Sequence, residues 1–170
     1  MRRVLVLGSG GAGKTTFAKQ LAEKTGLPLV HLDSYYWKPE WMETPQDEWI
    51  PRVIELSERP EWIMDGNYSG TIDIRLKYAD TVIFLDYSRF TCTLGVLKRL
   101  VTHGGSARDE MPEGCRERFS LDFMKWIWNY SSRSKPKIIS ALQKASSSVT
   151  VHIVRNRASL RRLLAELTTH

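Results

Sequence analysis

With 170 residues, 42% of them hydrophobic, the chain is long enough for one well-cored domain and too short for two ordinary ones. Twenty-five Lys and Arg against nineteen Asp and Glu leave a net charge of +6, which suits a protein that handles polyanions without choosing between nucleotides and nucleic acid. Two cysteines, Cys92 and Cys115, are too few for a disulfide framework or a four-cysteine zinc site, and no run approaches the roughly 20 apolar residues of a membrane helix.

Reduced thiols, a cytoplasmic location and no membrane partner are therefore expected. Met1-Arg2-Arg3 runs straight into an apolar segment, so no signal peptide is expected either.

The first element is a strand over 3–7, ending in Val4-Leu5-Val6-Leu7. Gly8-Ser9-Gly10-Gly11-Ala12-Gly13-Lys14-Thr15 follows at once, the P-loop spacing G-x-x-x-x-G-K-S/T. Glycines are needed there because backbone N–H groups must turn inward onto phosphate at positive φ, with no Cβ in the way. Gly8, Gly10, Gly11, Ala12 and Gly13 would form the cradle. Lys14 would bring charge to the β- and γ-phosphates, Thr15 a hydroxyl to Mg²⁺, and Thr16 a further first-turn contact at the positive end of a helix over 14–25. The cofactors so implied are ATP and Mg²⁺.

The same letters also contain Gly8-x-Gly10-x-x-Gly13, with Asp33 twenty residues beyond, the dinucleotide fingerprint. Lys14-Thr15 is what a pyrophosphate-only site does not require.

A second strand over 28–32 ends at Asp33, followed by Ser34-Tyr35-Tyr36-Trp37. A carboxylate there can accept the proton of an attacking hydroxyl. Tyr36 and its aromatic neighbours can stack on a ring or simply fill a core. A helix over 46–58 precedes a third strand, 61–64, that runs into Asp65 and Gly66. Asp65 is the natural second Mg²⁺ anchor, or else a loop acid that caps the next segment.

A short helix near 71–78, a strand over 81–85 and a helix from Arg89 to Thr102 complete the βαβ rhythm of a parallel α/β sheet. The stretch His103 to Arg118 is charged and glycine-bearing. With Arg108, Arg116 and Arg118 it reads either as a lid over phosphates or as a solvated loop. Helices near 119–131 and 135–145, a last strand Val149 to Val154 and a leucine-faced closing helix finish the chain. Phe123, Trp126, Ile127, Trp128 and Tyr130 fall at helical spacing, as core or interface packing would.

A P-loop, an acid-ending third strand and an arginine-bearing segment in that order resemble the adenylate-kinase-like branch of P-loop kinases over nearly the whole chain. Asp65-Gly66-Asn67-Tyr68-Ser69-Gly70, His31-Leu32-Asp33 and Met111-Pro112-Glu113-Gly114-Cys115 resemble, more closely, the family called DNA topology modulation proteins. The resemblance implies a three-layer P-loop NTPase sandwich with a five-stranded parallel sheet ordered 2-3-1-4-5 and a helical lid. It further implies an adenine site beside Arg155-Asn156-Arg157.

Where adenylate kinases carry D-G-F-P-R, whose arginine grips a monophosphate, this chain has Ser69, so Arg75 is the available substitute. Asp33-Ser34-Tyr35-Tyr36 resembles instead the D-S-F-Y segment of uridine-kinase-type enzymes, whose aspartate serves an acceptor hydroxyl.

The expectation is a single domain over 1–170, with an acceptor-binding insert about 33–60 and a lid about 103–118. It would act as an ATP-dependent kinase on a nucleoside or nucleotide, as a monomer or homodimer. Asp33, Tyr36, Gly66, Asn67 and Arg75 would hold the acceptor. A regulator that binds ATP and contacts DNA through its basic surface is the alternative, though no DNA-reading motif is present.

Overall fold

The computed structural model describes residues 1–103, 115 and 120–168. Among these residues, strands β1 (Arg3–Gly8), β2 (Leu29–His31), β3 (Trp37–Lys38), β4 (Met42–Glu43), β5 (Trp62–Asp65), β6 (Thr81–Leu85) and β7 (Thr150–Val154) are interspersed with eight α-helices. These are α1 (Lys14–Thr25), α2 (Leu32–Tyr36), α3 (Gln46–Glu58), α4 (Ile72–Leu76), α5 (Arg89–His103), α6 (Leu121–Arg133), α7 (Lys135–Lys144) and α8 (Arg157–Leu167).

Five strands form one parallel sheet in the order β2-β5-β1-β6-β7. Counting only those five, the third lies between the first and second, the order 2-3-1-4-5. The chain differs from the expected pattern by the small antiparallel pair β3-β4, which interrupts the numbering. Two-residue strands carry no usable periodicity, which is why the sequence does not announce them.

Burial on both faces explains the unbroken apolar runs of the inner strands. Leu5, Leu7, Met64 and Phe84 face one layer with Trp49, Val53 and Leu56 of α3, Ile72 of α4 and Ile138 of α7. Val4, Val6, Ile63 and Ile83 face the other with Phe17 and Leu21 of α1, Val96 of α5 and Leu163 of α8. Each such side chain, fully withdrawn from water, contributes on the order of 1.5–3 kcal/mol of transfer free energy. Alternate residues of one strand thus hold helices on opposite sides, giving the helix–sheet–helix sandwich. Among the described residues no helix is long and apolar enough to cross a membrane.

Two local departures matter for the site. Asp33 does not end a strand: β2 stops at His31, and Asp33 lies in the first turn of α2, where a carboxylate favours the positive helix end. The short helix near 71–78 is a 3₁₀ turn, Ser69–Thr71, leading into α4. The His103–Arg118 lid, with Arg108, Arg116 and Arg118, lies outside the described residues apart from His103 and Cys115. Cys115 and Cys92 are buried free thiols. In α6 only Ile127 and Tyr130 are buried, whereas Trp126 and Trp128 remain 39% and 43% exposed, so the aromatic set is shared between core and surface.

Candidate nucleotide and acceptor site

The glycine loop leaves β1 at the sheet's carboxyl edge and enters α1 through Gly13, whose φ of 88° belongs to the left-handed region. No side chain caps α1, no acid occupies its first turn, and a Cβ at Gly13 would meet nothing within 4 Å. The loop therefore offers uncapped N–H groups and open space to an anion. Lys14 Nζ donates to the Ser9 carbonyl at 3.1 Å, lying back along the loop.

From beneath, α5 clamps the loop: a Cβ on Gly95 would overlap the Gly11 carbonyl, and one on Gly11 would overlap that of Cys92. From above, the Phe123 ring of α6 would stand 2.8 Å from a Cβ on Gly10. Burial beside the loop raises the pKa of the Cys92 thiol and keeps it protonated.

Asp65 ends β5, the neighbour of β1, in register with Val6. The Thr15 hydroxyl donates to Asp65 Oδ2 at 2.7 Å, and His31 Nδ1 lies 3.3 Å from the same oxygen. Asp65 Oδ1 is buried with no hydrogen-bond partner. An orphaned buried carboxylate oxygen beside a P-loop threonine fits Mg²⁺ or its water shell. Among the described residues no three His, Cys, Asp or Glu side chains cluster as a metal cage. A nucleotide-borne metal needs none, because phosphate oxygens and water supply the other ligands.

The sheet order also answers the dinucleotide pattern. In that fold the second strand adjoins the first, so its terminal acid reaches the ribose. Here β5 intervenes, and Asp65, not Asp33, adjoins the loop strand.

On the acceptor side, the Tyr68 hydroxyl donates to Asp33 Oδ1 at 2.6 Å. Burial, reinforced by Asp33, raises the Tyr68 pKa far above the ordinary phenol value. The rings of Tyr36, Trp49 and Tyr68 meet one another at centroid distances of 4.7–5.1 Å. With Gln46, Ser69 and Thr71 they wall a cavity of about 180 Å³. Gly66, at φ 142°, lets the chain leave β5 against Leu32, where a Cβ would stand 2.9 Å from the Leu32 Cβ.

Two residues expected to contact the acceptor have their polar groups engaged within the protein. Arg75 is 0% exposed, and its guanidinium donates to the carbonyls of Gly66 at 2.9 Å, Asn67, Tyr68 at 2.9 Å and Thr71 at 3.4 Å. Burial lowers its pKa to about 10. Four of its five N–H donors are engaged by the 66–71 loop, and the side chain is buried away from any incoming phosphate. Asn67 pairs through its side-chain amide with the backbone of Gly8. Neither role has a local signal: a polar residue in a short loop or helix reads as solvent-facing until its distant partner is known.

On the opposite side, Arg155 edges a cavity of about 420 Å³ with Asp86, Tyr87 and Tyr130. Asp86 holds Lys135 at 2.7 Å, an ion pair invisible in the sequence, with Arg155 3.9 Å away. Arg157 begins α8 and is exposed; Thr16 is exposed near the start of α1.

No protein-family model matches the chain. Over 80 residues it is 30% identical to an adenylate kinase from Thermotoga neapolitana, a stretch that is 47% of this chain and 36% of that protein. The chain thus matches about a third of the length of this curated relative. A shikimate kinase from Acinetobacter baumannii, in complex with shikimate, superposes with a TM-score of 0.61 at 16% identity, covering 98% of this chain and 90% of that one. An unliganded sugar kinase from Janibacter sp. HTCC2649 gives a TM-score of 0.52 at 18% identity, covering 99% and 90%. At those identities the likeness concerns the fold, which is that of P-loop α/β kinases.

Proposed function

We propose that the chain is a phosphotransferase that uses ATP and Mg²⁺ to phosphorylate a small acceptor, a nucleoside or nucleotide. The observation that carries this reading is the orphaned, buried Asp65 Oδ1 beside Thr15, at the mouth of an uncapped glycine loop. Mg²⁺-ATP, when bound, supplies the phosphoryl group and the charge that neutralises it as it leaves.

The chain's own residues bind and orient. The N–H groups of Gly10 to Thr16 take phosphate oxygens, with Gly8 turning the backbone into the loop. Lys14 exchanges the Ser9 carbonyl for a phosphate, and Thr15 with Asp65 holds the metal side. Arg155 and Arg157 flank the base. Asp33 receives the acceptor proton, while Tyr36 and Gly66 shape the acceptor's approach. Arg108, Arg116 and Arg118 are proposed to add positive charge around the transferring group.

Titration with a fluorescent ATP analogue tests the reading: Lys14→Ala should weaken binding by an order of magnitude or more, and Asp65→Asn should raise the Mg²⁺ requirement. Unchanged binding in both variants would sink the assignment. Duplex-DNA binding that ignores saturating ATP and Mg²⁺, with no transfer to any nucleoside or nucleotide, would favour the DNA-contacting regulator that the resemblance to topology modulation proteins brings with it.

A further inference from the structure

We infer that the cavity walled by Tyr36, Trp49 and Tyr68 takes the uncharged ring of a hydroxyl-bearing acceptor of nucleoside type, and excludes a phosphomonoester. The inference rests on the phosphotransferase reading and decides which end of the acceptor lies where.

Size and walls come first. At about 180 Å³ the cavity is smaller than the roughly 300–1,000 Å³ that encloses a whole drug-sized ligand, so it admits a single ring. Three of the side chains around it are aromatic and the rest, Gln46, Ser69 and Thr71, carry neutral donors and acceptors. Aromatic walls with a few neutral polar groups at the edge suit a planar heterocycle, whose faces are apolar and whose edges hydrogen-bond.

Charge comes second. No lysine or arginine lines the cavity among the described residues. The guanidinium behind the 66–71 loop, that of Arg75, is fully buried, and four backbone carbonyls take its donors. A phosphomonoester placed here would lose its water without gaining a cation, and it would stand near the Asp33 carboxylate through Tyr68. An uncharged ring meets neither cost.

Orientation comes third. Tyr68 donates to Asp33 Oδ1 and so fixes that carboxylate, leaving Oδ2 to accept from a hydroxyl. Asp33 lies two residues beyond His31, whose ring meets Asp65 on the metal side. The ring therefore sits in the aromatic cavity and the hydroxyl points along Asp33 toward the glycine loop. In the transfer, the acceptor oxygen forms a bond to the γ-phosphorus and the bond from that phosphorus to the β–γ bridging oxygen breaks. ADP leaves with that electron pair, and the hydroxyl proton passes to Asp33.

The test titrates adenosine, guanosine, cytidine and uridine, and separately their 5′-monophosphates, into the full chain with and without a non-hydrolysable ATP analogue and Mg²⁺. Calorimetry is paired with tryptophan fluorescence, since Trp49 lines the cavity. At least one nucleoside should bind about tenfold or more tightly than its own monophosphate. Ser69→Arg, a partly exposed position on the cavity wall, should narrow or reverse that ratio by supplying the missing cation. Tighter binding of the monophosphates by the wild type, or no binding by any nucleoside while the analogue binds, overturns the acceptor inference alone. Failure of the analogue itself to bind overturns the phosphotransferase reading and this inference together.

Discussion

The side-chain amide of Asn67 closes on both backbone groups of Gly8, accepting from its N–H at 2.9 Å and donating to its carbonyl. Because β1 and β5 run in register up to Val6 and Asp65, Asn67 extends their ladder by one rung made from a side chain. The rung ties the start of the phosphate loop to the loop that carries Tyr68. Asn67→Ala leaves both Gly8 groups to find other partners and should cost on the order of 1–3 kcal/mol. Urea denaturation would register that loss, and the ATP analogue should bind more weakly in the same variant. A variant of wild-type stability and affinity would mean that the rung does not hold the loop.

Arg75 should behave as a structural brace. Arg75→Met strips partners from four carbonyls of the 66–71 loop, two of them buried, and should destabilise the fold by roughly 3–5 kcal/mol, the range for breaking a buried charged network. Arg75→Lys, with one ammonium in place of a planar fork, should recover only part of that loss. A lysine variant of normal stability that selectively loses acceptor affinity would return Arg75 to a ligand-contacting role.

Gly95→Ala reverses the usual expectation for a helix. In an unencumbered helix interior the change gains about 1 kcal/mol. Here the new Cβ would overlap the Gly11 carbonyl, backbone that has no rotamer by which to move aside. The variant should be less stable than wild type and should bind the ATP analogue more weakly, because α5 is pushed off the phosphate loop. Increased stability by thermal or urea denaturation would contradict the clamp.

Alkaline pH should unfold the protein earlier than exposed tyrosines would. Tyr68 and Tyr130 are raised above the ordinary 10.0 by burial first of all. The folded chain therefore keeps protons that the unfolded chain releases, and the stabilisation, complete below pH 10, declines as pH climbs beyond it. Arg75 opposes this, since its value of about 10 in the fold lies below the ordinary 12.5. Two tyrosines against one arginine leave a net loss of stability above pH 10. Denaturant midpoints measured up to about pH 11 should fall, and Tyr68→Phe should flatten the slope. A flat or rising profile in the wild type would show that these phenols are not held neutral.

The main elements and the phosphate loop were legible because their signals are local. A run such as Val4-Leu5-Val6-Leu7 needs burial on both faces, which is what an inner parallel strand provides, and the spacing from Gly8 to Thr15 specifies backbone dihedrals within a single turn. Only the tertiary structure decided that Asp33 lies in the first turn of a helix, that Trp37–Lys38 pairs with Met42–Glu43, and that Asn67 faces Gly8. It also decided that Arg75 spends its charge on carbonyls and that Gly95 is small because Gly11 lies against it. Spacing along the chain determines which face a residue occupies; the partner that satisfies a buried donor, or forbids a Cβ, comes from elsewhere in the chain and leaves no trace in local periodicity.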